Sequence, residues 1–239
     1  MVNFWEEKVD LKMGTIIENL KNIKRRISVA AERVNKKSED ITLIAVTKYV
    51  HETLIEEAIK NGITHIGENR VQEAEGKYSC LKFPVEWHMI GHLQTNKIKK
   101  AVEIFSWVHS LDSLRLAEAL NIRLDSLGKK MKVLLEVNVS GEESKYGIKP
   151  EDTLDLAKEV LSFSQLELKG LMTIAPLSDN PENSRPYFKK LRFLALDVEN
   201  KIGKRMEYLS MGMTDDFEVA IEEGANIVRI GSGIFGDKK

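Results

Sequence analysis

The sequence predicts an α/β fold, a single (β/α)8 TIM barrel with one or two extra helices at its N-terminus. Three observations carry that prediction. From residue 41 onward, short β-branched or apolar runs alternate with helix-spaced stretches, the pattern of parallel strands joined by crossover helices. Eight such units fit in about 200 residues, which suits a closed barrel better than a doubly wound sheet of about five or six strands. No linker-like stretch interrupts the 239 residues, so the whole chain, 1–239, reads as one domain.

Over residues 3–35 the apolar positions Met13, Ile16, Ile17, Leu20, Ile23, Ile27 and Val34 recur at helical spacing, with charges between them. The run ITLIAVT at 41–47 is apolar or β-branched throughout, as a strand buried on both faces should be. HETLIEEAIKNG follows as a helix with Gly62 as its C-cap, then the strand THIG, a helix over 68–77 and the strand VEWHMI. A helix near 95–103, the strand IFSWVHS, a helix over 113–127 and the strand KVLLEVNV come next. Pro150 suits the first position of a helix reaching residue 162. The strand LELKGLM, a helix near 184–202, the strand MEYLS, a helix at 215–223 with Thr214 as N-cap, and the strand NIVRIG complete the pattern.

Composition narrows the function. Hydrophobic residues make up 42% and charged residues 31%, with 5 Pro, which is a globular composition. Lys and Arg total 36 against 37 Asp and Glu, a formal net charge of −1, leaving no footprint for nucleic acid or an anionic membrane. A single cysteine, Cys80, excludes an intramolecular disulfide and a Cys-based zinc site. The polar start MVNFWEEKVD is no signal peptide, and no stretch approaches the ~18 apolar residues of a membrane span. A cytoplasmic location is expected.

Residues that a buried strand does not need gather where the strands end. They include Lys48, Asn69, His88, His92, His109, Asn138, Thr173, the run Ser210–Met211–Gly212 and the run Gly231–Ser232–Gly233. The C-terminal mouth of such a barrel is where sites are built. Lys48 follows an apolar strand directly, so its stem should start near the barrel axis, where burial favours the neutral amine that a Schiff base needs. By position alone, a lysine snorkelling to the surface fits equally well. SMGMTDD and RIGSGIFG stand after the last two strands, where glycine-rich backbone and hydroxyls form phosphate sites in these barrels. Arg229, inside the last strand, needs a polar partner: a carboxylate such as Glu68 or Glu136, or the ring nitrogen or phosphate of a cofactor. His88 and His92 lack the Glu of a zinc-protease motif and read as hydrogen-bonded structural histidines, and Asp215–Asp216 reads as an acidic first helical turn. No metal site is expected. No GxGxxG or P-loop motif is present.

The segments AVTKYV, HIGENRVQE, EWHMIGHLQTNKIK, EVNVSGEESKYGI, LKGLMTIA and LSMGMTDDFEVAIEEGANIVRIGSGIFG, in that order over 41–236, closely resemble the YggS/PROSC family of pyridoxal phosphate homeostasis proteins. The resemblance implies a barrel of the alanine racemase type with pyridoxal 5′-phosphate as a Schiff base on Lys48. Carried over position by position, it puts Asn69 beside the cofactor, Ser210, Gly212, Gly231 and Ser232 on the phosphate, Arg229 at the pyridine ring and Met211 nearby. Two positions depart from it: Arg70, where the family often has Tyr, and His92, where Pro is common. The implied function is intracellular homeostasis of the cofactor, by buffering it and delivering it to dependent apo-enzymes, without turnover. The alternatives are an amino-acid racemase or decarboxylase, and a barrel for another phosphorylated metabolite. A two-base racemase needs a second acid/base opposite the lysine; in alanine racemases this is a tyrosine from a separate domain, and only residues 237–239 follow the barrel here. Racemisation is therefore disfavoured, and a monomer is expected.

Overall fold

The computed structural model describes residues 4–236, with side chains from Ile16 onward. Met13, among the apolar positions named above, lies outside the described side chains, and residues 1–3 and 237–239 lie outside the described chain. Eight strands form in the expected places: β1 (Thr42–Val46), β2 (His65–Glu68), β3 (Glu86–Met89), β4 (Trp107–Leu111), β5 (Met131–Glu136), β6 (Leu166–Met172), β7 (Tyr208–Ser210) and β8 (Ile227–Ile230). They pair in parallel in sequence order, and β8 closes on β1. The crossover helices are α2 (Glu52–Lys60), α3 (Val71–Cys80), α4 (Ile98–Ile104), α5 (Leu114–Asp125), α6 (Thr153–Ser162), α7 (Arg185–Ile202) and α8 (Phe217–Glu222).

Strand geometry explains the continuous apolar runs. Successive side chains point to opposite faces, and here both faces are covered. Ile44 enters an inner cluster with Trp107, Leu134, Met172 and Ile227, whereas its neighbour Ala45 joins the outer core between strands and helices. Among the described residues, no helix is long and apolar enough to cross a membrane.

The leading segment is one helix, α1 (Phe4–Glu32), rather than two. It buries Ile16, Leu20, Ile23, Ile27 and Ala30 and packs on α2, α8 and a short helix α9 (Ser232–Phe235) that follows β8. Asn19 Nδ2 donates to the Ile234 carbonyl at 3.0 Å, and Arg26 grips Glu218 through two bonds of 2.8 and 2.7 Å. The two ends of the described chain are thereby tied together.

Helix ends differ from expectation at three places, the first being α3, which begins at Val71 because Glu68 still belongs to β2. The C-cap of α2 is Asn61, and Gly62 stands one residue beyond it at φ +89, the left-handed position where glycine costs least. Helix α8 begins at Phe217 with Asp216 as its N-cap, not Thr214. Gly212, at φ +93, turns the chain so that residues 213–216 close on themselves, with Asp216 Oδ1 accepting from the Met213 N–H at 2.7 Å. Asp215 and Asp216 therefore precede the first turn rather than form it.

Gly170 sits in the middle of β6 beside a register shift against β5, and a Cβ there would stand 1.9 Å from the Tyr208 carbonyl oxygen. The β6–β7 pairing must part to admit it. Gly170→Ala is expected to lower the thermal midpoint by more than about 4 °C, whereas Gly76→Ala, whose added methyl meets nothing within 4 Å on ordinary helical backbone, should not lower it. Calorimetric scans of both variants check this.

Candidate functional site at the barrel mouth

The residues expected to bind the cofactor fall on or just after four adjacent strands. Lys48 follows β1, Asn69 follows β2, Ser210, Met211 and Gly212 end or follow β7, and Arg229, Gly231 and Ser232 end or follow β8. Since β7, β8, β1 and β2 are consecutive around the barrel, these residues form one arc of the mouth.

Lys48 itself is exposed, so its expected burial is not found. The strand ends at Val46, and two residues further on the chain has already reached the rim. A buried cluster of charges behind it holds this turn. Lys77 Nζ, on α3, donates to the Thr47 carbonyl at 2.6 Å, to Glu68 Oε1 at 2.7 Å and to Glu73 Oε1 at 2.8 Å. Thr47 Oγ1 donates to the same Glu68 oxygen at 2.6 Å, and the Tyr49 N–H donates to Glu73. Tyr49 is held at φ +57, a left-handed conformation unusual outside glycine and one that clusters at functional sites. Sequence reasoning missed Thr47, Glu73 and Lys77. The i, i+4 spacing of Glu73 and Lys77 was the available signal, but it reads equally as an ordinary pair on a solvated helix face.

Arg229 is buried at the heart of the arc. Nη1 donates to Ser210 Oγ at 2.7 Å and Nη2 to the Thr173 carbonyl at 2.9 Å. Neither carboxylate considered from the sequence forms an ion pair with it: Glu68 belongs to Lys77, and Glu136 acts only through its field. Burial draws the guanidinium down to about 10, opposed by Glu136 and Asp216, so it stays charged at neutral pH. With two N–H groups committed, it retains donors for an acceptor from outside.

Beneath Arg229 a hydrogen-bonded chain crosses the interior. His109 Nδ1 meets Ser210 Oγ, His88 Nδ1 meets His109 Nε2, and His65 Nδ1 meets His88 Nε2, each at 3.0 Å. Burial is the main cause holding His88 and His109 well below the ordinary histidine value, with neighbouring cations and imidazoles adding to it. Neutral rings carry one N–H each, so the chain can be satisfied end to end. His88 is thus a hydrogen-bonded interior histidine, as the sequence indicated. His92 is elsewhere: its ring stacks on Tyr146 at 4.2 Å, and Nδ1 lies 3.2 Å from Asp112 Oδ2.

The two glycine-rich loops meet. Thr214 Oγ1 accepts from Ser232 Oγ at 3.1 Å and from the Gly233 N–H at 3.2 Å, and the Gly212 carbonyl accepts from the Arg229 N–H at 3.1 Å. A Cβ on Gly212 would stand 2.6 Å from Ala220 Cβ, so only glycine fits this turn. A primary amine, a fixed guanidinium, hydroxyls and glycine-rich backbone along one arc match a ligand that carries a phosphate, a ring acceptor and a carbonyl. Arg70 is exposed at the N-cap of α3, where its side chain makes no capping bond.

Residues 19–239 match the family described as the alanine racemase N-terminal domain. A pyridoxal phosphate homeostasis protein of Aquifex aeolicus is 44% identical over 223 residues, covering 93% of this chain and 98% of that one. One from Pseudomonas aeruginosa is 41% identical over 225 residues, covering 94% and 96%. Among solved structures, PipY of Synechococcus elongatus with PLP bound aligns with a TM-score of 0.81 at 35% identity, over 92% of this chain and 100% of that one. An alanine racemase of Clostridium difficile shares the fold, with a TM-score of 0.76 at 18% identity, over 94% of this chain and 57% of the racemase.

Glu136, at the end of β5, is buried, and its Oε2 has no hydrogen-bond partner among the described residues. Burial, with Asp112 adding and Arg229 opposing, pushes it up to about 7. Because the folded value exceeds the unfolded one, the proton it retains stabilises the fold fully below the unfolded value, and this contribution is lost as pH rises through about 7. Across that window the stability difference between wild type and Glu136→Gln should shift by roughly 3 kcal/mol in favour of the variant. Urea unfolding of both proteins from pH 4 to 8 reads this out; parallel curves would show that Glu136 does not titrate there.

Proposed function

The chain belongs to the pyridoxal phosphate homeostasis family, built on the alanine racemase N-terminal-domain barrel, and from that premise we propose that it binds pyridoxal 5′-phosphate at the barrel mouth and buffers it for delivery. The observation that carries this reading is the arc itself: an exposed lysine at the end of β1 beside a buried, already hydrogen-bonded arginine and serine at the ends of β8 and β7. The bound cofactor supplies an aldehyde that condenses reversibly with an amine and a pyridine ring that can withdraw electrons.

Each role then belongs to a residue of this chain. Lys48 tethers the aldehyde carbon through Nζ. Ser210, Gly212, Gly231 and Ser232 take the phosphate and Asn69 lines the ring, while Met211, expected nearby, is buried in the outer core behind that loop. Arg229 offers a charged N–H to the ring nitrogen. A guanidinium there disfavours protonation of that nitrogen, which weakens the electron withdrawal that carbanion chemistry would need. Exposure of Lys48 leaves the tether within reach of a competing amine or water, which suits release. On this reading the protein works in the cytoplasm as a monomer and passes the cofactor to dependent apo-enzymes rather than turning over amino acids.

The test is the near-visible spectrum of wild type and Lys48→Ala, each incubated with pyridoxal 5′-phosphate and desalted. Wild type should keep a band shifted from that of the free aldehyde, and should reactivate an apo-enzyme; Lys48→Ala should do neither. Identical spectra would move the tether away from Lys48. Appreciable racemisation or decarboxylation of amino acids by the purified protein would overturn the buffering role.

A further inference from the structure

At the opposite end of the barrel from the mouth, His65, Glu86 and His88 converge. The sheet puts them there. His65 and Glu86 are register partners on β2 and β3, and His88 follows Glu86 by two residues, so all three side chains leave the same face of the sheet. One coordinating atom from each lies within 4.8 Å of the others, and His65 Nδ1 stands 3.0 Å from His88 Nε2. A tetrahedral zinc ion with bonds of about 2.0–2.1 Å holds its ligand atoms about 3.3 Å apart. The two imidazole nitrogens would part by a few tenths of an ångström to admit it, and the Glu86 carboxylate, within 4.8 Å of both, would close on the ion by a side-chain rotation.

We propose that this cluster binds a zinc-class divalent cation through His65 Nδ1, His88 Nε2 and a carboxylate oxygen of Glu86. Two imidazoles and one carboxylate form the donor set of zinc sites that keep an open position, whereas magnesium and calcium take oxygen ligands. Two of the three ligands already have the outer partners that orient metal ligands. Trp107 Nε1 donates to Glu86 Oε2 at 2.6 Å, leaving Oε1 for the ion, and His88 Nδ1 is paired with His109 Nε2 at 3.0 Å, aiming Nε2 at the site. With the His88 proton on Nδ1 and the His65 proton on Nε2, both inner nitrogens present lone pairs to the ion, so a choice of tautomer is enough.

Access and charge are consistent with such an ion. His65 and Glu86 also line a surface groove of about 720 Å³, together with Thr64, Phe83 and Ser106, which provides a route in and water for the fourth position. Lys132 is the competing cation, with Nζ 4.0 Å from Glu86 Oε1 and 4.9 Å above the Trp107 ring. Its side chain is 39% exposed, so its head can swing into water when the ion arrives.

The site is tested by titrating zinc into chelator-stripped full-length protein by calorimetry, and by the visible spectrum of the cobalt form. Wild type should take up one zinc at this site and show the absorption of tetrahedral cobalt. His65→Ala and Glu86→Gln should each weaken zinc binding by at least about tenfold, while Lys132→Gln should tighten it and His51→Ala should leave it unchanged. Zinc should also raise the thermal midpoint of wild type but not that of His65→Ala, whose fold is checked by its metal-free midpoint. No zinc uptake by wild type, or equal uptake by wild type, His65→Ala and Glu86→Gln, would overturn the proposal and leave the cluster a hydrogen-bonded chain alone.

Discussion

Closing eight parallel strands into a barrel leaves a narrow interior that every second residue must enter, and each polar group pointing there has to find its partner without bulk water. Part of that interior answers with apolar packing around Trp107, Leu134 and Met172. The remaining interior is a row of polar groups that satisfy one another, from His65 through His88, His109 and Ser210 to Arg229. The buried guanidinium is tolerable because the Ser210 hydroxyl and the Thr173 carbonyl accept from it. A ligand arriving at the mouth therefore meets an arginine whose position folding has already fixed.

A second buried charge governs the other side of the mouth. Lys77 sits almost wholly out of water, its ammonium shared between two carboxylates and a backbone carbonyl. Removing one partner from such a group leaves the other uncompensated in a low dielectric, which is why these clusters hold their geometry firmly. What this one holds is the turn at Thr47–Tyr49. Glu73 fixes the Tyr49 N–H, Lys77 fixes the Thr47 carbonyl, and Lys48 between them is presented at the rim. Two lysines within one βα unit thus have opposite fates, one structural and buried, the other exposed.

The strands were legible because burial on both faces removes polar residues from their sequences, and the mouth because polar residues return where each strand stops. Beyond that, single-segment reasoning met its limits at identifiable places. Lys48 was expected near the axis, but two residues past the last ladder pair the chain has left the interior. Thr214 looks like an N-cap, yet the turn after Gly212 closes through Asp216 instead, freeing Thr214 to bind the loop after β8. Lys77 reads as a solvated helical residue, since nothing in its own segment shows that Glu68 and the Thr47 carbonyl lie above it. The pairing of His65 with Glu86 depends on strand register, which barrel closure sets and no single strand encodes.

These features make the mouth asymmetric. On the β7–β8 side, Arg229 and Ser210 are buried and already hydrogen-bonded, so on the proposed reading they would meet a ligand without rearranging. On the β1 side, Lys48 is exposed at the rim. A catalyst for carbanion chemistry would benefit from the reverse, a reacting end shielded from solvent so that charge developing there meets fixed dipoles. On the proposed reading, a cofactor held at its inert end and tethered to Lys48 at its exposed end would be retained by the first set of contacts and surrendered through the second, because an amine that reached the tether could exchange with Lys48. That separation of grip from release is the physical requirement of a buffer, and here it follows from where the chain buries Arg229 and where the Lys77 cluster leaves Lys48.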